Sequence, residues 1–240
     1  MGTSLTAPAR LGLQLALGAL LLVLSSALFA LLAHDLSAGQ RGLAADLAVA
    51  QWLHRRATPP LTAFVLVFTH LHSAGAMAAY GMVAVATLAW RRQWRPAWLV
   101  TLALGGVLIV NMLMKLAFQR ARPTFDEPLL TLATYSFPSG HVAASTVAYG
   151  LVVVAVFSAT RSPLTRALTL LGAVAAVVAV AFTRLYLGVH YLSDVLAAGA
   201  EGVAWLTICV AALDADGQRR RRGQGTAGLE TPEPIRRARA

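Results

Sequence analysis

Six apolar stretches separated by short polar segments dominate this chain: Leu11 to Ala33, Leu61 to Trp90, Ala97 to Met114, Val142 to Ala159, Ala167 to Leu187 and Val195 to Leu213. About 20 apolar residues make one helical crossing of a bilayer's hydrocarbon core, and each run meets or nearly meets that length. The runs are apolar all round rather than striped, unlike the amphipathic helices of a soluble core. The expected fold is therefore all-α, a polytopic membrane protein with six transmembrane helices in a bundle. The second run is longer than one crossing requires, so tilt or extension past the bilayer is expected of it. The first follows Arg10 and ends in small residues, as a signal peptide does. Its length exceeds the roughly 7–15 apolar residues of such a segment, and a retained first helix is the reading adopted.

Charge supports the same class. Only 12% of the 240 residues are charged, against about 25% in soluble domains. The net charge of +10 does not indicate nucleic acid, because the arginines are not interleaved with aromatics on one patch. They sit between apolar runs, at Arg91, Arg92 and Arg95, at Arg161 and Arg166, at Arg219 to Arg222, and at Arg236, Arg237 and Arg239. With Arg10 these clusters hold 13 of the 20 Lys and Arg residues, which places both termini in the cytoplasm by the positive-inside rule.

One membrane domain is expected over residues 1–213, with no internal repeat. A basic tail follows over 214–240, rich in Arg, Gly, Pro and Glu and expected to lack fixed structure. Its Arg219 to Arg222 run either touches anionic head groups or only sets topology. The outer segment from His34 to Pro60 carries Leu43, Leu47, Ala50 and Leu53, a pattern that predicts a short helix at the interface.

Three polar islands interrupt the apolar chain, and the topology gathers them at one membrane face. The first runs from Lys115 through Arg122 to Pro123, the second is Pro138-Ser139-Gly140-His141, and the third runs from Thr183 and Arg184 to His190 and Asp194. Phosphoryl transfer spreads negative charge over equatorial oxygens, which fixed cations and N–H groups stabilise. Lys115, Arg122 and Arg184 supply the cations. Ser139 and Gly140 start a helix whose free backbone N–H groups favour an anion, and glycine there permits close approach.

His190 and Asp194 are four apart, on one face of the helix that begins there. A carboxylate at Nδ1 leaves Nε2 as the nucleophile. His141 then serves as general acid for the leaving group and as base for water.

These three segments resemble, in order and spacing, the signature motifs of the type 2 phosphatidic acid phosphatase family, whose active site resembles that of vanadium haloperoxidases. The resemblance implies a phosphohistidine at His190, support from Asp194, acid/base work by His141 and a phosphate held by Lys115, Arg122, Ser139, Gly140 and Arg184. It implies no metal or other cofactor. One departure is Thr183, where the family motif usually begins with serine; threonine keeps the hydroxyl.

The expected partners are the bilayer and a lipid phosphate. The substrate is a polyprenyl diphosphate such as undecaprenyl diphosphate, phosphatidic acid or phosphatidylglycerol phosphate. The expected place is the inner membrane, with the site at the outer face. Phosphotransfer to an acceptor hydroxyl, and phosphate-lipid binding or transport without turnover, stay open as alternatives.

Other polar residues carry lesser expectations. Glu201, an acid within the sixth run, and Asn111 are each read as structural hydrogen-bonding residues inside the bundle, with no partner assigned to either. His70 and His72 are two apart and do not share a helix face, which disfavours a metal site. His34 and His54 are read as solvated. The single Cys209 rules out an intrachain disulfide and is read as a small buried hydrophobe.

Overall fold

The computed structural model describes residues 7–37 and 45–227. Among them the chain is helical, with no strand. Helix α1 (Ala7–Ser37) leads to a short α2 (Ala45–His54), then α3 (Pro59–Leu71) and α4 (Ala74–Trp90). Next come α5 (Trp94–Val100), one π-turn (Thr101–Gly105) and α6 (Gly106–Phe118), which together form one continuous span. After a segment without regular structure, α7 (Gly140–Ala159), α8 (Pro163–Tyr186) and α9 (Leu192–Ala227) complete the chain.

Five helices are long and apolar enough to cross a membrane, and the α3–α4 pair makes the sixth. The expected six-helix bundle is thus observed, with one correction. The second apolar run is two helices rather than one: it breaks after Leu71 and bends by 42°. Ser73 causes the break by capping α4, its hydroxyl accepting the Ala76 N–H at 3.2 Å. Such a cap satisfies a helix-start donor that would otherwise be stranded.

The core lies where α7, α8 and α9 meet α6, around Val107, Val142, Ala143, Val147, Val180 and Ala198. Many large side chains on the outer faces are exposed, including Leu21, Val67, Val83, Leu171 and Val178, as lipid-facing residues must be. Close helix approach depends on small residues. A Cβ on Gly202 would sit 2.7 Å from the Cβ of Thr146 and 3.0 Å from the Ala143 carbonyl, so α9 reaches α7 only because that position is glycine.

The outer segment does form a helix, α2, but its buried stripe is Asp46, Ala50 and Leu53. Leu47 faces outward, and Leu43 lies outside the described residues. At the other end, helical backbone continues past Leu213 to Ala227, where a segment without fixed structure was expected. Residues 228–240 of the expected tail lie outside the described residues.

Candidate active site

Four helix ends and one long connection build the polar end of the bundle. Helix α6 stops at Gln119, whose left-handed backbone (φ 44°) turns the chain into the segment 119–139. Lys115, buried near the end of α6, donates to the carbonyls of Tyr135 and Pro138 at 2.8 Å each and of Ser136 at 3.4 Å. Its ammonium therefore braces the loop that precedes α7. The returning loop thus presents three carbonyls to a group with three donors.

The same loop is gripped by Arg122. Its guanidinium donates to the Thr134 and Tyr135 carbonyls, to the Thr134 hydroxyl and to the Val189 carbonyl, and one nitrogen lies 3.3 Å from His190 Nε2. Burial lowers its proton affinity, and Asp194 opposes that shift.

Between α8 and α9 the chain turns at Gly188 (φ +66°), a conformation that favours glycine. A Cβ there would also strike the Phe125 ring at 2.6 Å. The turn delivers His190 into the interior, only 2% exposed. His190 Nδ1 faces Asp194 Oδ2 at 3.3 Å. Burial pushes the imidazole down to about 3; Asp194 counters this, while Arg184 and Arg122 add to it. The ring is therefore neutral at physiological pH.

Asp194 is fully buried and heavily satisfied. Its Oδ2 accepts the Ser136 hydroxyl and the Tyr191 N–H, the latter at 2.9 Å. Its Oδ1 accepts from Arg120 at 2.5 Å. Its backbone carbonyl accepts the Ser139 N–H at 3.2 Å, so that N–H at the start of α7 is engaged rather than open to an anion. Gly140 has a packing reason as well: a Cβ would lie 3.0 Å from Asn111 Oδ1.

Arg184 is 1% exposed at the end of α8. One nitrogen donates to the Thr69 hydroxyl at 2.7 Å. Among the described residues its Nε and second terminal nitrogen have no partner, and neither does the buried Ser139 hydroxyl. Buried donors left unpaired are costly and call for an explanation; an anion supplies one. Thr183, the departure from serine, keeps its hydroxyl engaged with Val180 O at 2.7 Å and Thr69 at 3.3 Å. His141, in the first turn of α7, lies within electrostatic reach of Arg184, His190 and Arg122. All three islands thus converge at one end of the bundle.

The sequence pattern of the PAP2 superfamily matches residues 96–217, half of the chain and all three islands. The chain belongs to the PAP2 superfamily. Phosphatidylglycerophosphatase B of Bacillus subtilis is 35% identical over 109 residues, 43% of this chain and 52% of that protein. The match thus spans about half the length of this curated relative. The crystal structure of a transmembrane PAP2-type phosphatidylglycerolphosphate phosphatase from Bacillus subtilis superposes with a TM-score of 0.68 at 26% identity, covering 81% of this chain and 96% of that one. LpxE of Aquifex aeolicus shares the fold at a TM-score of 0.55 and 21% identity, over 70% of this chain and 96% of that one.

Several residues around this PAP2 site were not singled out from the sequence, Arg120 and Ser193 although they lie within the first and third islands. Ser136 lies just outside the Pro138 quartet and bonds Asp194. Thr69 holds Arg184 from α3, a helix with no motif. Asp46, Arg120 and Ser193 form a buried cluster beside Asp194. Asn111 and Glu201, each expected to take a structural hydrogen bond, turn out to be partners: Asn111 donates to Glu201 at 2.9 Å. His54, expected in solvent, instead stacks on Phe125 with ring centroids 4.0 Å apart. His72 bonds the Tyr149 hydroxyl at 2.8 Å, and His70 the Leu66 carbonyl at 2.7 Å.

Proposed function

We propose that this chain is a membrane lipid phosphatase that cleaves a phosphate ester or diphosphate of a lipid through a phosphohistidine at His190. The observation that carries the reading is the pairing of a neutral, buried His190, its Nδ1 at Asp194 and its Nε2 at Arg122, with unpartnered buried donors on Arg184 and Ser139. A neutral imidazole is a nucleophile, and a buried carboxylate stabilises the cation it becomes.

In this reading Arg122, Arg184 and Ser139 hold the equatorial oxygens, and Lys115 acts by fixing the loop that carries Ser139. His190 Nε2 attacks phosphorus as the bond to the lipid oxygen breaks, and His141 gives that oxygen its proton. His141 then takes a proton from water, which attacks the phosphohistidine and releases inorganic phosphate, restoring His190. Fixed cations meet the developing charge, so the reading requires no metal.

Phosphatidylglycerol phosphate is the proposed first substrate, supported by the names of the relatives. The Lys and Arg asymmetry supports cytoplasmic termini, a cell-membrane location and a site at the outer face. The test is phosphate release by purified protein in detergent with EDTA present. Phosphatidylglycerol phosphate, phosphatidic acid and undecaprenyl diphosphate are supplied in parallel. The expected result is release from the first at the highest rate. No release from any of the three, or equal release by His190→Ala, contradicts the proposal.

A further inference from the structure

Helix α2 lies outside the three motif islands, yet it buries a carboxylate in the polar end of the bundle. Asp46 is 2% exposed, and Ala50 and Leu53 on the same stripe anchor the helix against its neighbours. A buried carboxylate is costly to desolvate and persists only where it is well paired. Asp46 is paired on both oxygens. Oδ1 accepts the Ser193 N–H at 2.8 Å. Oδ2 accepts the Ser193 hydroxyl at 2.5 Å and an Arg120 nitrogen at 2.9 Å. Its place in the first turn of α2 adds the favourable field of a helix start.

The partners of Asp46 point onward to Asp194. The other terminal nitrogen of Arg120 donates to Ser193 Oγ at 2.7 Å and to Asp194 Oδ1 at 2.5 Å. The guanidinium also lies 4.1 Å over the Tyr191 ring, which fixes its plane. With Oδ1 committed to Arg120, Oδ2 of Asp194 is the oxygen left for His190. The first turn of α9 is thus clamped from two sides, by α2 through Ser193 and by Arg120 through Asp194.

We infer that Asp46 is a positioning residue for the reaction: it holds Arg120 and Ser193 so that Asp194 presents Oδ2 to His190 Nδ1. The inference rests on the assignment of His190 and Asp194 given above. The clamp brings residues 147 positions apart into one network, and it makes a segment outside the three motifs part of the catalytic geometry. Outer partners of a catalytic or ligating histidine generally change activity about 10–100-fold when removed.

The test uses the full chain in detergent with phosphatidylglycerol phosphate. Asp46→Asn keeps the shape while removing the charge and turning one acceptor into a donor. It is expected to lower kcat about tenfold with KM within about twofold. In an Asp194→Asn background the same change is expected to cost little more, since its route to His190 is already cut. Ser193→Ala, a lighter change that removes one hydroxyl from the clamp, is expected to lower kcat severalfold with KM unchanged. It serves if Asp46→Asn does not yield folded protein. Normal kcat per folded molecule in Asp46→Asn, or in Ser193→Ala where that variant stands in, overturns the inference. So does a loss that multiplies undiminished with Asp194→Asn, which marks a purely structural role. Failure of the underlying assignment has a separate signature: His190→Ala and Asp194→Asn would then retain full activity whatever Asp46 does.

Discussion

The two ends of the bundle are assembled by different means. At the polar end, α6 to α9 meet through side chains that reach across helices: Lys115 to the loop before α7, Arg122 to the turn before α9, Arg184 to Thr69 and Asp194 to four separate donors. Farther along the same helices, contact is made by the absence of side chains. Gly202 admits Thr146, and Gly106 lies so close to Trp205 that a Cβ would meet its ring at 2.2 Å. Lipid offers no hydrophobic gain for helix association, so packing of small residues has to supply it. At the polar end the packing is secondary, and the hydrogen bonds fix where reactive atoms lie. The difference separates fold from chemistry along the length of each helix.

That separation predicts opposite outcomes for substitutions at the two ends. The largest effect is expected for His190→Ala, a fall in phosphate release of about four orders of magnitude or more with thermal unfolding near that of the native protein. Arg184→Ala follows, with kcat lowered by about a hundred- to a thousandfold, the range for removing one charge-stabilising donor. Rates within tenfold of native for either variant would erase the distinction. Gly202→Val should behave in the reverse manner. Overpacking of α9 against α7 is expected to cost about 1–3 kcal/mol, seen as a lower unfolding temperature, with kcat per folded molecule unchanged.

A smaller effect concerns pH. His190 has its proton affinity depressed from 6.5 to about 3 on folding. Between those values the unfolded chain binds the proton and the folded chain does not, so stability falls as pH drops through that window. The unfolding temperature should therefore decline from neutral to mildly acid pH, and the decline should be shallower in His190→Asn. The smallest effect is expected at the lipid-facing Val178, where Val178→Leu should change neither rate nor unfolding temperature measurably.

Different parts of this molecule were legible to different degrees. The spans were plain, because a crossing needs a long apolar run and little else. The break between α3 and α4 was not, since it depends on Ser73, one small polar residue within such a run. In the site, His190 and Asp194 announce their pairing by a four-residue spacing. The carbonyl partners of Lys115 do not follow from its position, because they depend on how residues 119–139 fold back. Asp46 gave no signal at all. It is a single acid in a short outer helix, and its partners lie far along the chain. Leu47 illustrates the same limit: apolar spacing suggested a stripe, but the register that buries Ala50 and Leu53 turns Asp46 inward and Leu47 outward. Local periodicity shows that a face exists, and tertiary partners decide which polar residue it includes.

The central claim is that His190 becomes covalently phosphorylated. The most direct measurement is a rapid acid-free quench of purified protein mixed with phosphatidylglycerol phosphate carrying a labelled terminal phosphate. The account predicts label on the wild-type protein that survives base but is lost in acid, as a phosphoramidate is, and none on His190→Ala. Equal labelling of the two proteins, or turnover in the wild type with no labelled protein at any time, would contradict it.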